Sequence, residues 1–431
     1  MEKESYDIAV VVRAAFPFAP PEVYFMDPKL FLQFPHVDQF GKLCLTNAAS
    51  TFSPRLVDGT MGFLLTEALQ LIARSQSGLD DQDFILEFGD YWRRLPTFRA
   101  ESKFYSLLAT NGPTRLIRFY AAKGFALFAD ADEALCNWLE CYGGGFRPKD
   151  FNAKPTIFVW LDQPLHPRNY PKTAHDIQVL TRQSCVNADE FLASAIPVES
   201  GRLPLILGFK TSSGPVLAGL EIREPTVAKA GDLTQRRNCR NDGFRARRVP
   251  DAVLVQRYFG ATHVSLAEVV RVDAEWCLYR GGNGFSAELF AKKVAIVGCG
   301  SLGADLAAMM AKAGVGSFVF VDDEVLDWGN VSRHFLGGVH VGQSKATALA
   351  SELARQMPWL KTEAMVSSAE ALIDERPDVL RRCDLIISTT GDWTSECMLN
   401  AACRTLTRFP ALIFGWTEAY GIAGHALAVL A

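Results

Sequence analysis

Val294-Ala295-Ile296-Val297-Gly298-Cys299-Gly300-Ser301-Leu302-Gly303 decides how this 431-residue chain is read. The first four residues are apolar and spell a buried strand. Gly298-x-Gly300-x-x-Gly303 follows directly and opens a helix that runs to about Ala313. Gly298 permits the tight turn, Gly300 lets backbone approach a phosphate, and Gly303 lets helix pack on strand. A phosphate would then meet the helix N-terminus, with its free N–H groups and partial positive charge. Asp322 ends the next strand, 317–321, about 20 residues on, where a carboxylate can bind ribose hydroxyls. These features alone read as a dinucleotide dehydrogenase.

Outward from this point the pattern alternates. A helix over 343–356, a strand over 385–388, a helix over 394–407 and a strand over 411–414 follow. Such alternation from 286 to 431 predicts a Rossmann-like, mostly parallel sheet with helices on both faces.

Further residues redirect the dehydrogenase reading. Ala313-Gly314-Val315-Gly316, Asp322-Asp323-Glu324-Val325, Asn330, Arg333 and Gly342-Gln343-Ser344-Lys345 occur in that order. Over about 290–431 this array resembles the ATP-binding signature of ThiF, MoeB and ubiquitin-activating enzymes. The resemblance implies ATP and Mg²⁺ as cofactors, held by Gly298, Gly300, Gly303, Asp322, Asn330, Arg333 and Lys345. Asp322 would bind the ribose. Asn330, Arg333 and Lys345 would hold the phosphates and offset the charge that builds at the α-phosphate, with Arg333 counted as catalytic. Thr390-Gly391-Asp392 stands where the family more often has Thr-Asp-Asn. Asp392 sits one place late for the metal carboxylate, and a helix-capping role is its alternative. The implied reaction is acyl adenylation of a partner protein's C-terminus. Activating enzymes that also form a thioester carry their Cys in a segment beyond the end of this sequence, so the domain reads as C-terminally incomplete. Cys397 and Cys403 read as helix core residues, and Cys299 as packing.

The N-terminal region carries a second array. Phe16-Pro17-Phe18-Ala19-Pro20-Pro21, Gly41-Lys42-Leu43-Cys44-Leu45 and Phe52-Ser53-Pro54 occur in order, with strand-like 6–12 and 22–26 and an amphipathic helix over 60–74 capped by Asp58 or Thr60. Residues 6–75 resemble a ubiquitin-conjugating core. The resemblance implies that Cys44 accepts the activated acyl group as a thioester and yields it to an amine. A buried structural thiol is the alternative. Lys42 is the nearest cation in sequence. Relatives place an Asn eight residues before the Cys, where this chain has His36. Its ring could support an oxyanion, act as a base, or be structural.

The polar stretch Ser75 to Asp83 suggests a boundary, giving a conjugating-like α+β domain over 1–80, an α+β middle domain over 81–285 and the adenylating domain over 286–431. The middle shows strand-like 157–161, 203–209 and 219–222, and a run of six arginines from Arg236 to Arg248 that reads as a solvated loop, with a phosphate or nucleic-acid contact as its alternative. A net charge of −4 gives no global pull towards nucleic acid or acidic lipid. The ten Cys show no zinc-ribbon spacing, which with no visible signal peptide favours a reducing cytoplasm. No apolar run approaches the roughly 18–20 residues of a membrane span.

The whole, an α/β multidomain chain, resembles fused activating and conjugating enzymes of bacterial ubiquitin-like operons, some of them in antiphage defence. That implies a ubiquitin-like partner with an activatable C-terminus, a target amine and a homodimer through the ThiF-like domain. A sulfur-carrier adenylyltransferase and a non-catalytic scaffold are the rival readings.

Overall fold

A computed structural model describes residues 6–27, 30–45, 57–95, 103–110, 112–143, 146–147, 149, 151–197, 202–211, 214–222, 251–260, 264–279 and 286–430. Phe52-Ser53-Pro54 and the arginine run lie outside the described residues. The chain divides into two compact units, 1–135 with 151–271, and 136–150 with 272–431.

In the first unit β1 (Ile8–Val11) pairs antiparallel with β2 (Glu22–Phe25). Helix α1 (Val57–Gln76) begins upstream of Asp58 and Thr60, so these lie inside it instead of capping it. Its Leu64, Ala68 and Leu71, spaced i, i+4, i+7, join Val23, Phe25, Val37 and Leu43 in one buried cluster. Next come α2 (Asp83–Leu86) and α3 (Phe88–Arg93), which meet at Glu87. Phe84, Phe88, Trp92 and Leu95 recur at helical spacing and are buried.

They are buried against a second sheet. It consists of β3 (Lys103–Ser106), β4 (Arg115–Ala122), β5 (Phe125–Ala129), β6 (Lys154–Leu161), β7 (Leu203–Thr211), β8 (Gly214–Ile222), β9 (Val264–Ala267) and β10 (Val269–Arg271). The eight strands run in the order β10-β3-β5-β4-β6-β7-β8-β9. Alternate residues of β7 face opposite cores: Leu205 and Leu207 pack with Phe88, Trp92 and Ile157, and Ile206 packs with Phe104 and Phe158. Helices α4 (Ala174–Ser184), α5 (Ala188–Ala195) and α6 (Asp251–Phe259) add Ile177, Leu192 and Val255 to the former core. The indole N–H of Trp92 donates to the Ala267 carbonyl at 3.0 Å, so the buried polar atom is satisfied.

The second unit holds β11 (Lys293–Val297), β12 (Ser317–Val321), β13 (Lys361–Met365), β14 (Leu385–Ser388), β15 (Ala411–Thr417) and β16 (Gly424–Val429) in the order β13-β12-β11-β14-β15-β16. All pairings are parallel except β15 with β16. Val294, Ile296, Phe318 and Phe320 pack on α7 (Ser301–Ala313) and α8 (Lys345–Gln356). Ala295, Val297, Val319 and Val321 face the other way, towards α9 (Ala369–Glu375) and α10 (Trp393–Thr405). This is the doubly wound, Rossmann-type α/β arrangement read from the sequence. Strand order reverses at β11, between β12 and β14, and that switch point is where such sheets bind ligands. Cys397 of α10 is exposed, which corrects its reading as a core residue, whereas Cys403 is half-buried and packs against the core on that face. Among the described residues no helix is long and apolar enough to cross a membrane.

Candidate nucleotide and thioester sites

Gly298 follows β11 at φ 87°, a left-handed conformation, and a Cβ there would lie 2.9 Å from the Thr390 nitrogen. A Cβ on Gly303 would overlap the Gly298 carbonyl, so the close packing of α7 requires glycine. Gly300 differs: a Cβ there would meet nothing within 4 Å and would project into open space. That space is a cleft of about 350 Å³ lined by Gly298, Gly300, Asp322, Lys345, Thr390 and Asp392. A second of about 470 Å³ shares Gly300, Lys345 and Thr390 and adds Asn330, Arg333 and His334. The two clefts therefore gather every nucleotide-site residue expected from the sequence except Gly303, which packs beneath the turn.

The Cys299 peptide between the glycines is held at both ends. Its N–H donates to Asp322 Oδ2 at 2.7 Å, and its carbonyl accepts from His334 Nε2 at 2.7 Å. His334 Nδ1 accepts from the Leu336 N–H at 3.0 Å, which puts the ring proton on Nε2. Burial pushes the His334 pKa below its ordinary value. Asp322 also accepts from the Glu324 N–H at 2.8 Å, and burial raises its pKa. The Cys299 thiol is fully buried, and burial, then the Asp322 charge, push its pKa well up. It is packing and not a nucleophile.

Lys345 opens α8, whose N-cap Ser344 accepts from the Thr347 N–H at 3.4 Å. The Lys345 side chain is 7% exposed and paired with Glu324. Asn330 Oδ1 accepts from the Asp327 N–H at 3.0 Å, and Arg333 Nη1 donates to the Gly329 carbonyl at 2.8 Å. Asp392 Oδ2 accepts from the Ser395 N–H at 2.8 Å and so caps α10, a bond that holds its pKa low. Among the described residues no group of three or more His, Cys, Asp or Glu is placed to hold a metal. A magnesium ion here would take Asp392 plus nucleotide oxygens, the usual mixed shell for that ion.

In the first unit Cys44 is exposed, which removes the buried-thiol alternative. Its N–H donates to the His36 carbonyl at 2.7 Å, next to the Val37–Leu43 bridge. The His36 ring turns to the helices: Nε2 is 2.8 Å from Asp83 Oδ2 and Nδ1 is 3.5 Å from Glu87 Oε2. Two carboxylates thus occupy the ring expected to serve Cys44 as oxyanion donor or base. The His36 N–H donates to the Tyr91 hydroxyl at 2.6 Å, and burial raises the Tyr91 pKa. Lys42 is paired with Glu22, at 2.5 Å, and the Cys44 charge also acts on it. The cation beside the thiol is Arg94, its Nη1 4.0 Å from Cys44 Sγ.

Sequence reasoning missed Arg94, Asp83, Glu87 and His334. The signal for the first three was the helical stripe Asp83, Glu87, Tyr91, Arg94 set against apolar Phe84, Phe88 and Trp92.

A switch-point cleft in one unit and an exposed thiol in the other are thus the two candidate sites of the chain. Residues 277–427 match the ThiF family and residues 2–99 the prokaryotic E2 family B, so the chain joins a domain of each family. It is similar to the ATP-dependent ubiquitin transferase-like protein Cap2 of Pseudomonas aeruginosa, with 32% identity over 163 residues, 37% of this chain and 28% of that one. The adenylyltransferase and sulfurtransferase MOCS3 of Mus musculus is 31% identical over 173 residues, 39% of this chain and 36% of that one. The SAMP-activating enzyme E1 of Haloferax volcanii is 28% identical over 156 residues, 36% of this chain and 52% of that one. The aligned part of this chain thus spans between about a quarter and a half of these relatives.

Proposed function

We propose that this chain uses ATP to adenylate the C-terminal carboxylate of a ubiquitin-like partner, accepts the acyl group on Cys44 as a thioester, and passes it to an amine of a target protein. The observation that carries the reading is the coexistence in one chain of a cleft lined by Gly298, Gly300, Asp322, Asn330, Arg333 and Lys345 and an exposed Cys44 beside a guanidinium.

The chemistry follows from the groups. ATP is the co-substrate of ThiF-family adenylyltransferases. The partner's carboxylate attacks the α-phosphate, pyrophosphate leaves, and an acyl adenylate forms. Lys345 and Arg333 supply the positive charge that this transition state needs. Asp322 would take the ribose, and Asp392 would hold Mg²⁺, which would supply further positive charge to offset the phosphates. Thiolate attack then displaces AMP, and amine attack displaces the thiolate. Pairing through the ThiF-family domains, a reduced cytoplasm and a place in bacterial antiphage operons belong to the same proposal. The similarity to MOCS3 favours sulfur-carrier activation as the second reading, in which Cys44 is dispensable.

The test mixes purified chain, MgATP and each ubiquitin-like protein encoded beside its gene, read by non-reducing gel and intact mass. Conjugation predicts a thiol-sensitive adduct lost in both Cys44→Ala and Asp322→Ala. Adenylate formation unchanged by Cys44→Ala, with no adduct, selects the sulfur-carrier reading.

A further inference from the structure

The polar stripe of α2 and α3 is left without a role by the nucleotide site. Its residues fall at helical spacing, and every one with a recorded partner on the Cys44 segment reaches the same few residues. Asp83 and Glu87 hold the His36 ring, Tyr91 holds the His36 N–H, and Arg94 reaches Cys44 Sγ. The opposite stripe is anchored: Phe84 and Phe88 are 1% and 0% exposed in the core of the eight-stranded sheet, and Trp92 is bonded to Ala267. Arg94 is the C-cap of this anchored helix, its N–H bonded back to the last turn, so its starting point is fixed before any substrate arrives.

We propose that Arg94 is the cation that holds the Cys44 thiolate during acyl transfer, and that the sheet of the middle region is the base from which it is aimed. The inference rests on the reading of Cys44 as the acyl acceptor. In the loading step the thiolate forms the C–S bond to the acyl adenylate while the C–O bond to AMP breaks, AMP taking the electron pair. In the discharge step an amine forms the C–N bond, the C–S bond breaks, the sulfur takes the electron pair, and the amine proton goes to water. Negative charge sits on sulfur before the first step and after the second, so one cation assists both. Among the described residues Arg94 makes no ion pair with a carboxylate, whereas Lys42 is engaged by Glu22 and His36 by Asp83 and Glu87. Asp38 and Asp90 are the acidic groups that act on Arg94 from its surroundings.

The experiment needs no partner protein. The full chain and its Arg94→Ala and Arg94→Lys variants are alkylated with neutral iodoacetamide and anionic iodoacetate, with Cys44 followed by peptide mass spectrometry and exposed Cys397 as internal reference. Arg94→Ala is expected to slow Cys44 about fivefold, the factor that two unit charges about 4 Å apart in water set. The iodoacetate rate should fall further than the iodoacetamide rate, and Arg94→Lys should restore most of that ratio. Unchanged Cys44 rates and ratio in a folded Arg94→Ala overturn the proposal. Should Arg94→Ala misfold, exposing buried Cys299 to the reagents, the wild-type chain decides: its iodoacetate-to-iodoacetamide ratio must fall as salt screens the guanidinium, and a flat ratio overturns the proposal. Absence of any thioester with every partner, with these rates as expected, refutes the conjugation reading and leaves the Arg94 contact standing.

Discussion

His334 Nε2 donates to the carbonyl of Cys299 at 2.7 Å, across 35 residues of sequence, and so ties the segment carrying Arg333 to the glycine-rich turn. The ring can do this while accepting from Leu336 only when it is neutral. Its folded pKa is lowered by burial, so the contact is complete above the ordinary histidine value of 6.5 and is lost as pH falls from there through the folded value. ATP affinity measured by calorimetry is expected to weaken on that same acid side. His334→Leu should cost about tenfold at pH 8, because the Cys299 carbonyl is left buried and unpaired. An affinity independent of pH between 8 and 5 would count against the clamp.

The pairing of Lys345 with Glu324 yields an opposite expectation. The ammonium is nearly buried and Glu324 is the more exposed partner, so incoming phosphates compete with Glu324 for the same charge. Glu324→Gln should tighten nucleotide binding a few-fold while lowering the melting temperature of the nucleotide-free chain. Lys345→Ala should abolish adenylate formation. Pyrophosphate exchange and thermal melting, run on the same samples, separate the two effects.

The cleft residues were legible because they are short-range signals. Three glycines, a strand on one side and a helix on the other fix Gly298, Gly300 and Gly303 to a turn within ten residues of chain. Parallel strands buried on both faces, such as Lys293–Val297, also announce themselves as continuous apolar runs. Arg94 was not legible, because its meaning depends on Cys44 lying 50 residues away and on the Trp92–Ala267 bond across 175. Strands such as Lys103–Ser106 were missed for a related reason: four residues carry too little alternation to stand out, and their pairing is with β5 and β10.

Glu22 provides a pH expectation at the other site. The bond from Lys42, then that from Arg13, hold its carboxyl down at about 2 from an ordinary 4.5. A lowered acid pKa contributes stability that is present above 4.5 and lost as pH falls towards 2. Lys42 is two residues from Cys44, so the Cys44 segment is expected to loosen over that window. Hydrogen exchange at Leu43, whose N–H donates to the Val23 carbonyl at 2.8 Å, reports it directly. Glu22→Gln should remove the acid dependence and leave Leu43 equally loose at pH 7.

His36 sits at φ 57°, in the left-handed region, where Asn is among the few non-glycine residues tolerated at small cost. His36→Asn therefore keeps the backbone and removes only the ring, whereas a β-branched replacement would confound the test with strain. The ring is taken up by Asp83 and Glu87, so its loss removes partly exposed polar contacts of at most about 1 kcal/mol. The melting temperature should drop slightly. Thioester formation at Cys44, and its discharge to free lysine in rapid-quench assays, should stay within about twofold. A loss of tenfold or more in discharge, with loading intact, would return the ring to the chemistry as an oxyanion donor or base, because about 1.4 kcal/mol of transition-state stabilisation would then have gone with it.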